Sequence, residues 1–350
     1  MTIPGDPPHG PSSDGPPARP GLARALAGGP LVLDGGLAGE LERSGHDLSG
    51  ALWSARLLRD DPEAVLRVHE RFLRAGAQVI TTASYQATYA GFAAAGLSTD
   101  RTTRLLHRSV SLARRAVEEF EQARVSRRAR EAPAGGDTDP IWVAASVGPY
   151  GAMLGDGSEY TGSYTAPEHP GGGLDVAALR AFHARRLEAL AGSGADVLAC
   201  ETIPCAAEAE ALLLELDRLD VPAWLSLTTV TGGDGVVRTR RGERARDVFA
   251  QARDVPAVIA VGVNCTDPAG VSAAVGVAAP ASGKPVVVYP NSGESWDSRA
   301  RAWRGEPEFG HQDVAGWIAD GARLVGGCCR VTPEQIAGIR RVLPPRAPGS

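Results

Sequence analysis

Eight short apolar runs, each separated from the next by a longer segment of helical periodicity, predict an α/β chain folded as a single (β/α)8 TIM barrel. Two further observations favour that fold over an open doubly wound sheet. No Gly-x-Gly-x-x-Gly or phosphate-loop pattern follows any of the runs, and the distinctive polar residues recur just after them, where a barrel gathers its active-site rim.

Residues 1–20 are rich in Pro, Gly and Ser with almost no aliphatic content, too little apolar surface to offset ordering, and are expected to form a disordered tail. The barrel is expected over 21–345. Its first strand is the run 31–34, Leu-Val-Leu-Asp. Asp61 and Pro62 then supply an N-cap and a first-turn proline, after which Val65, Leu66, Val68, His69, Phe72 and Leu73 form an apolar stripe at helical spacing. Strands follow at 78–82, 141–147, 196–201, 223–228, 257–263, 285–289 and 322–326. The stretch 124–140 is charged and then Gly/Pro-rich, which reads as a loop insertion before the third strand. The last helix opens on Thr332-Pro333-Glu334-Gln335, a capping-box pattern, followed by Ile336, Ile339 and Leu343.

Composition narrows the function. A chain of 350 residues, 43% hydrophobic, can bury one large core. Its 36 basic and 41 acidic residues leave a net charge of −5, with no basic stripe for nucleic acid or an anionic membrane. No apolar run approaches the roughly 18 residues of a membrane span, and the N-terminus has no signal pattern, so a cytoplasmic protein acting on small molecules is expected. Five cysteines are too few and too uneven for a secreted disulfide framework, whereas clustered thiols in a reducing compartment suit metal binding or catalysis.

The strand ends collect the candidates. Asp34-Gly35-Gly36 follows the first run, Thr81 to Tyr85 the second, Gly148-Pro149-Tyr150 the third and Glu201-Thr202 the fourth. Asn264-Cys265, Pro290-Asn291-Ser292-Gly293 and Gly327-Cys328-Cys329 follow the sixth, seventh and eighth. Convergence of Cys265, Cys328 and Cys329 on one soft ion would leave a fourth position open, the pattern of a catalytic zinc, with Gly326 and Gly327 giving the backbone freedom to bend. The alternatives are that Cys265 is a small core residue and the adjacent pair a vicinal disulfide or two unrelated thiols.

Asp34 and Glu201 suit a ligand ammonium, Glu201 because it ends the inward row Val197, Ala199, Glu201. The Gly35 and Gly36 N–H groups suit a carboxylate, so the group describes a pocket for an α-amino acid. Asp34 before two glycines also fits a plain turn. Trp53, Tyr85 and Tyr160 offer ring faces to a cationic sulfonium or ammonium, or simply pack. Cys200 faces the helices as core filler, and Cys205 reads as a loop thiol. Lys284, the only lysine, precedes the seventh strand on the opposite rim, which disfavours Schiff-base chemistry. The seven histidines show no metal-ligand spacing and read as surface or satisfied residues.

On Leu-Asp-Gly-Gly at 33–36, Arg-Ala-Gly-Ala-Gln-Val-Ile-Thr-Thr-Ala-Ser-Tyr-Gln-Ala at 74–87, Gly-Val-Asn-Cys at 262–265 and Gly-Gly-Cys-Cys-Arg at 326–330, the chain resembles the homocysteine S-methyltransferase family of zinc-dependent barrels. The likeness runs from about Leu31 to Leu343. It implies zinc on Cys265, Cys328 and Cys329, L-homocysteine at Asp34 and Glu201, and donor-side aromatics at Trp53 and Tyr85. The runs 82–87 and 289–294 look most like enzymes that use S-methylmethionine or S-adenosylmethionine. The expected reaction is methyl transfer from that sulfonium to the homocysteine thiol, giving methionine. A betaine-type donor and a non-catalytic zinc- or thiol-binding barrel are the alternatives. With no further domain after residue 343, a self-contained cobalamin-dependent synthase is not expected.

Overall fold

The computed structural model describes residues 21–48, 52–128, 139–170, 172–297, 302–307 and 309–344. Within them the eight expected strands all form: β1 Leu31–Val32, β2 Val79–Thr81, β3 Trp142–Val147, β4 Val197–Ile203, β5 Ala223–Leu227, β6 Val258–Asn264, β7 Val286–Tyr289 and β8 Ala322–Val325. Neighbours pair in parallel in the order β1-β8-β7-β6-β5-β4-β3-β2. The cylinder closes between β1 and β2, where Gln78 N–H donates to Val32 O at 2.8 Å and Asp34 N–H to Val79 O at 3.0 Å.

Strand alternation sorts the apolar residues into two layers. Leu31, Leu33, Val79, Trp142, Ala144, Val197, Ala199, Trp224, Val287 and Leu324 fill the barrel interior. Val143, Val147, Leu198, Cys200, Leu225, Val261 and Val288 belong to the outer core shared with the helices. The short helix Leu22–Ala27 adds Leu22, Ala25 and Leu26 to the interior cluster, which plugs the floor of the barrel beneath the strand starts. With the floor closed, the open end is the rim formed by the strand C-termini.

The foreseen caps form. Asp61 accepts from Ala64 N–H at 3.0 Å at the head of helix Pro62–Arg74, and Thr332 and Gln335 exchange capping-box bonds at the head of helix Pro333–Val342.

Several expectations are corrected. Residues 124–128 are the last turn of the helix Thr99–Arg128: Arg-rich sequence without Gly or Pro continues a helix already begun. The rest of that stretch, 129–138, and the tail 1–20 lie outside the described residues. After β5 the chain forms an antiparallel hairpin, Thr229–Thr231 with Val237–Thr239, which barrel periodicity does not reveal. His69 is fully buried on the inner face of its helix, and neither ring nitrogen has a hydrogen-bond partner among the described residues. Cys205 is a loop thiol in the bend that caps helix Ala206–Leu219, yet it is 1% exposed, and burial pushes its thiol up to about 12.

Candidate metal centre and substrate cavity

The ends of β6 and β8 bring three thiols together. The sulfurs of Cys265, Cys328 and Cys329 all lie within 4.8 Å of one another, and Cys265 and Cys329 are 3.8 Å apart. Thiolates bound about 2.3 Å from a tetrahedral centre are spaced by about 3.8 Å, so the donor set fits a soft divalent ion. All five cysteines are free, which excludes a vicinal disulfide in this structure. Hydrogen bonds from Cys265 and Cys328 hold the Cys329 thiol well below its usual range, whereas the Cys265 and Cys328 thiols are pushed up, so the three thiols together favour a single negative charge.

Backbone geometry makes the convergence possible. Four non-glycine residues among those described have positive φ, and three of them stand at this rim: Thr202 at 61°, Cys265 at 46° and Arg330 at 65°. Such angles are costly for side chains with a Cβ, β-branched Thr most of all, and persist where surrounding bonds over-determine them. Asn264 supplies several of those bonds. It accepts from Thr202 N–H at 2.7 Å and Ser226 Oγ at 2.8 Å, and its amide donates to Thr202 Oγ1 at 2.7 Å and approaches Cys328 Sγ at 3.9 Å.

The bend expected of Gly326 and Gly327 is corrected by these angles. Neither adopts positive φ; a Cβ on Gly327 would instead meet the Val331 side chain at 2.2 Å. Glycine is required there for close packing, and the left-handed residue of the turn is Arg330. The loop is anchored by Cys328 N–H on Pro290 O at 2.7 Å and Cys329 N–H on Asn291 Oδ1 at 3.2 Å.

Beside the sulfurs is a cavity of ≈ 170 Å³ whose lining includes Asp34, Tyr85, Ser146, Glu159, Tyr160, Glu201 and the three cysteines. Asp34 is 2% exposed and accepts from Thr81 N–H at 2.8 Å and from the Thr81 hydroxyl. Burial nevertheless raises its carboxyl well above the usual range. Burial likewise pushes Glu201 up to about 7, against hydrogen bonds from the Ser146 and Tyr289 hydroxyls. Burial thus holds both neighbouring carboxyls toward their neutral forms, a balance that a cation placed between them would reverse.

The other expected residues divide. Gly35 and Gly36 line the same cavity, but the Gly36 N–H is spent on Val331 O at 3.0 Å, so it is not available to a ligand carboxylate; Gly35 N–H makes no bond among the described residues. A Cβ on Gly36 would lie 2.6 Å from Cys328 O, which explains that glycine by packing. Tyr85 is half-buried in the cavity lining. The Trp53 side chain lies outside the described residues. Lys284, at the opposite rim, donates to Val255 O at 3.0 Å.

Two residues bear on the site more than their sequence context suggests. Tyr160 places its hydroxyl 3.9 Å from both Cys265 Sγ and Cys329 Sγ. Glu159 beside it is 8% exposed, its Oε2 has no partner among the described residues, and burial pushes its carboxyl up to about 7. Both sit on the long segment between β3 and the helix Val176–Ala191, and Ser-Glu-Tyr carries no motif that points to a metal centre. That segment is tied down by Glu208, which accepts from Tyr150 N–H at 2.6 Å, from the Tyr164 hydroxyl and from His183 Nε2 at 2.8 Å.

Comparison with known proteins agrees with this architecture. The family described as homocysteine S-methyltransferase matches residues 31–343. Homocysteine S-methyltransferase 3 of Arabidopsis thaliana is 44% identical over 323 residues, 90% of each chain. Homocysteine S-methyltransferase YbgG of Bacillus subtilis is 40% identical over 312 residues, 88% of this chain and 93% of that one. The metallated form of the homocysteine methyltransferase MmuM from Escherichia coli superposes with a TM-score of 0.73 at 40% identity, covering 91% of this chain and 98% of that one.

Proposed function

The chain belongs to the homocysteine S-methyltransferase family and transfers methyl groups to homocysteine, and on that premise we propose that Cys265, Cys328 and Cys329 hold zinc while a sulfonium amino acid, S-methylmethionine or S-adenosylmethionine, donates the methyl. The observation that carries this reading is the spacing of the three sulfurs, which suits three corners of a tetrahedral thiolate site and leaves a corner for the substrate. Bound zinc supplies the Lewis acidity that removes the proton of an arriving thiol at neutral pH.

The protein's own groups then bind, orient and desolvate. Asp34 and Glu201 receive the homocysteine ammonium; a cation between two carboxylates whose ionisation is opposed by burial favours their charged forms and offsets their desolvation. Gly35 N–H is left for the substrate carboxylate. Tyr85 and Tyr160, both half-buried in the cavity lining, wall the reacting sulfur from water and present ring faces to the sulfonium.

In the transfer, a bond forms from the homocysteine sulfur to the methyl carbon as the donor sulfur-methyl bond breaks. The electron pair of the broken bond stays on the donor sulfur, which departs as a neutral thioether, and the thiol proton passes to solvent. Opposite charges cancel along this path, so an in-line approach in a partly dry cavity suits it.

The test is metal analysis of the purified chain together with methionine formation from homocysteine and either S-methylmethionine, S-adenosylmethionine or betaine, before and after chelation. About one zinc per chain and chelator-sensitive turnover with a sulfonium are expected. Turnover with betaine alone, or undiminished activity in a metal-free protein, refutes the reading.

A further inference from the structure

Tyr160 and Cys265 form a wall shared by two cavities. One is the cavity that contains Asp34 and Glu201. Across the wall lies a larger one of ≈ 440 Å³, whose lining includes Thr229, Thr231, Arg240, Thr266, Asp267 and the Arg330-paired Glu294.

Arg240 is the residue in that second cavity that calls for a ligand. It follows the hairpin strand Val237–Thr239, is half-buried, and spends its Nε on Thr228 Oγ1 at 3.2 Å. No carboxylate forms an ion pair with it among the described residues, whereas its hairpin neighbour Arg238 is paired with Asp234 at 2.6 Å and Arg330, across the rim, with Glu294 at 2.6 Å. A half-buried guanidinium with no directly paired carboxylate gains from a bound anion, and its planar fork matches a carboxylate in geometry as well as charge. Asp267 brings the opposite charge to the same cavity, its Oδ1 accepting from Ala269 N–H at 2.9 Å and its Oδ2 making no hydrogen bond among the described residues. A cation and an anion on one polar wall suit a zwitterion.

We propose that this second cavity receives the amino-acid end of the methyl donor, with Arg240 binding the donor α-carboxylate. The proposal rests on the sulfonium amino-acid reading above. It gives each substrate its own chamber: homocysteine enters beside Asp34 and Glu201, the donor enters from beyond Tyr160, and the two sulfurs meet at the shared wall. Displacement at carbon requires attacking and leaving sulfurs on opposite sides of the methyl, which two chambers meeting at one wall provide.

The test compares S-methylmethionine with its α-carboxamide as donors in steady-state kinetics. The wild-type enzyme should show a donor KM about 10- to 100-fold higher for the carboxamide, the scale of one charge-assisted hydrogen-bonded pair. Arg240→Met should raise the KM for S-methylmethionine by a similar factor, leave that for the carboxamide unchanged, and erase the preference. Metal content and homocysteine KM should stay at wild-type values. Equal donor KM values in the wild-type enzyme overturn the proposal without any variant. So does an Arg240→Met protein that loses metal or homocysteine affinity, since that marks a purely structural role through Thr228. A wild-type enzyme that makes methionine from homocysteine and betaine but from neither sulfonium removes the underlying reading, and the proposal with it.

Discussion

Asn264 and Thr202 are joined by two hydrogen bonds of 2.7 Å each, one to the Thr202 backbone and one to its hydroxyl, and they stand between the acid Glu201 and the thiol Cys265. The pair ties the strand end that carries Glu201 to the one that carries Cys265, with Thr202 and Cys265 both at left-handed backbone angles.

Asn264→Ala is therefore expected to weaken both functions at once. It orphans Thr202 N–H and the Ser226 hydroxyl, and each buried unpaired group costs about 1–3 kcal/mol. Chemical denaturation should show that loss, and competition with a chelator should show weaker metal retention alongside a raised homocysteine KM. Wild-type metal retention in a destabilised Asn264→Ala protein would disprove the coupling.

Replacing one sulfur with oxygen should act differently. Cys265→Ser, Cys328→Ser and Cys329→Ser each leave two thiolates for a soft ion, so metal per chain and methionine formation should collapse together, with thermal stability falling less than in Asn264→Ala. An active, metal-free Cys328→Ser enzyme would contradict the proposed ligand set.

Glu201→Gln keeps the shape of the side chain and removes its charge. Homocysteine KM should rise about 10- to 100-fold, the loss of one charge-assisted contact, with metal content unchanged. A variant whose KM stays within experimental error of wild type would show that the ammonium lies elsewhere.

His69 predicts a pH dependence of stability away from the site. Burial lowers its pKa from 6.5 to about 4, so the unfolded chain binds the proton more readily than the folded one. Its contribution is fully present above pH 6.5 and is lost as pH falls toward about 4, at up to about 1.4 kcal/mol per unit. His69→Leu removes the titrating group and the unpartnered ring nitrogens, so urea denaturation should show the variant gaining on wild type between pH 7.5 and pH 5. Parallel stability curves would refute this.

Glu208→Ala should loosen the segment that carries Glu159 and Tyr160. Three donors lose their shared carboxylate: the Tyr150 amide, the Tyr164 hydroxyl and His183. Amide hydrogen exchange over residues 150–165 should accelerate while the strands of the barrel stay protected. Unchanged exchange there would show that the segment is held by packing alone.

Much of this protein was legible in the sequence because barrel strands and helices have local signatures. All eight strands, the Asp61 and Thr332 caps, and the inward row of Val197, Ala199 and Glu201 follow from periodicity and capping chemistry, which act within a few residues. The cysteines were legible as a group because each follows a strand, and a closed parallel barrel brings every strand end to one rim. Tertiary structure alone decided the rest, since it depends on residues far apart in the chain. It spent the Gly36 N–H on Val331, moved the left-handed angle from the glycines to Arg330, and set Tyr160 against a sulfur 169 residues away. It also left Arg240 without an ion-paired carboxylate and His69 without a hydrogen-bond partner among the described residues. Periodicity states which face of an element is buried; whether a buried or cavity-facing polar atom finds a partner depends on the atoms opposite it, which only packing brings near.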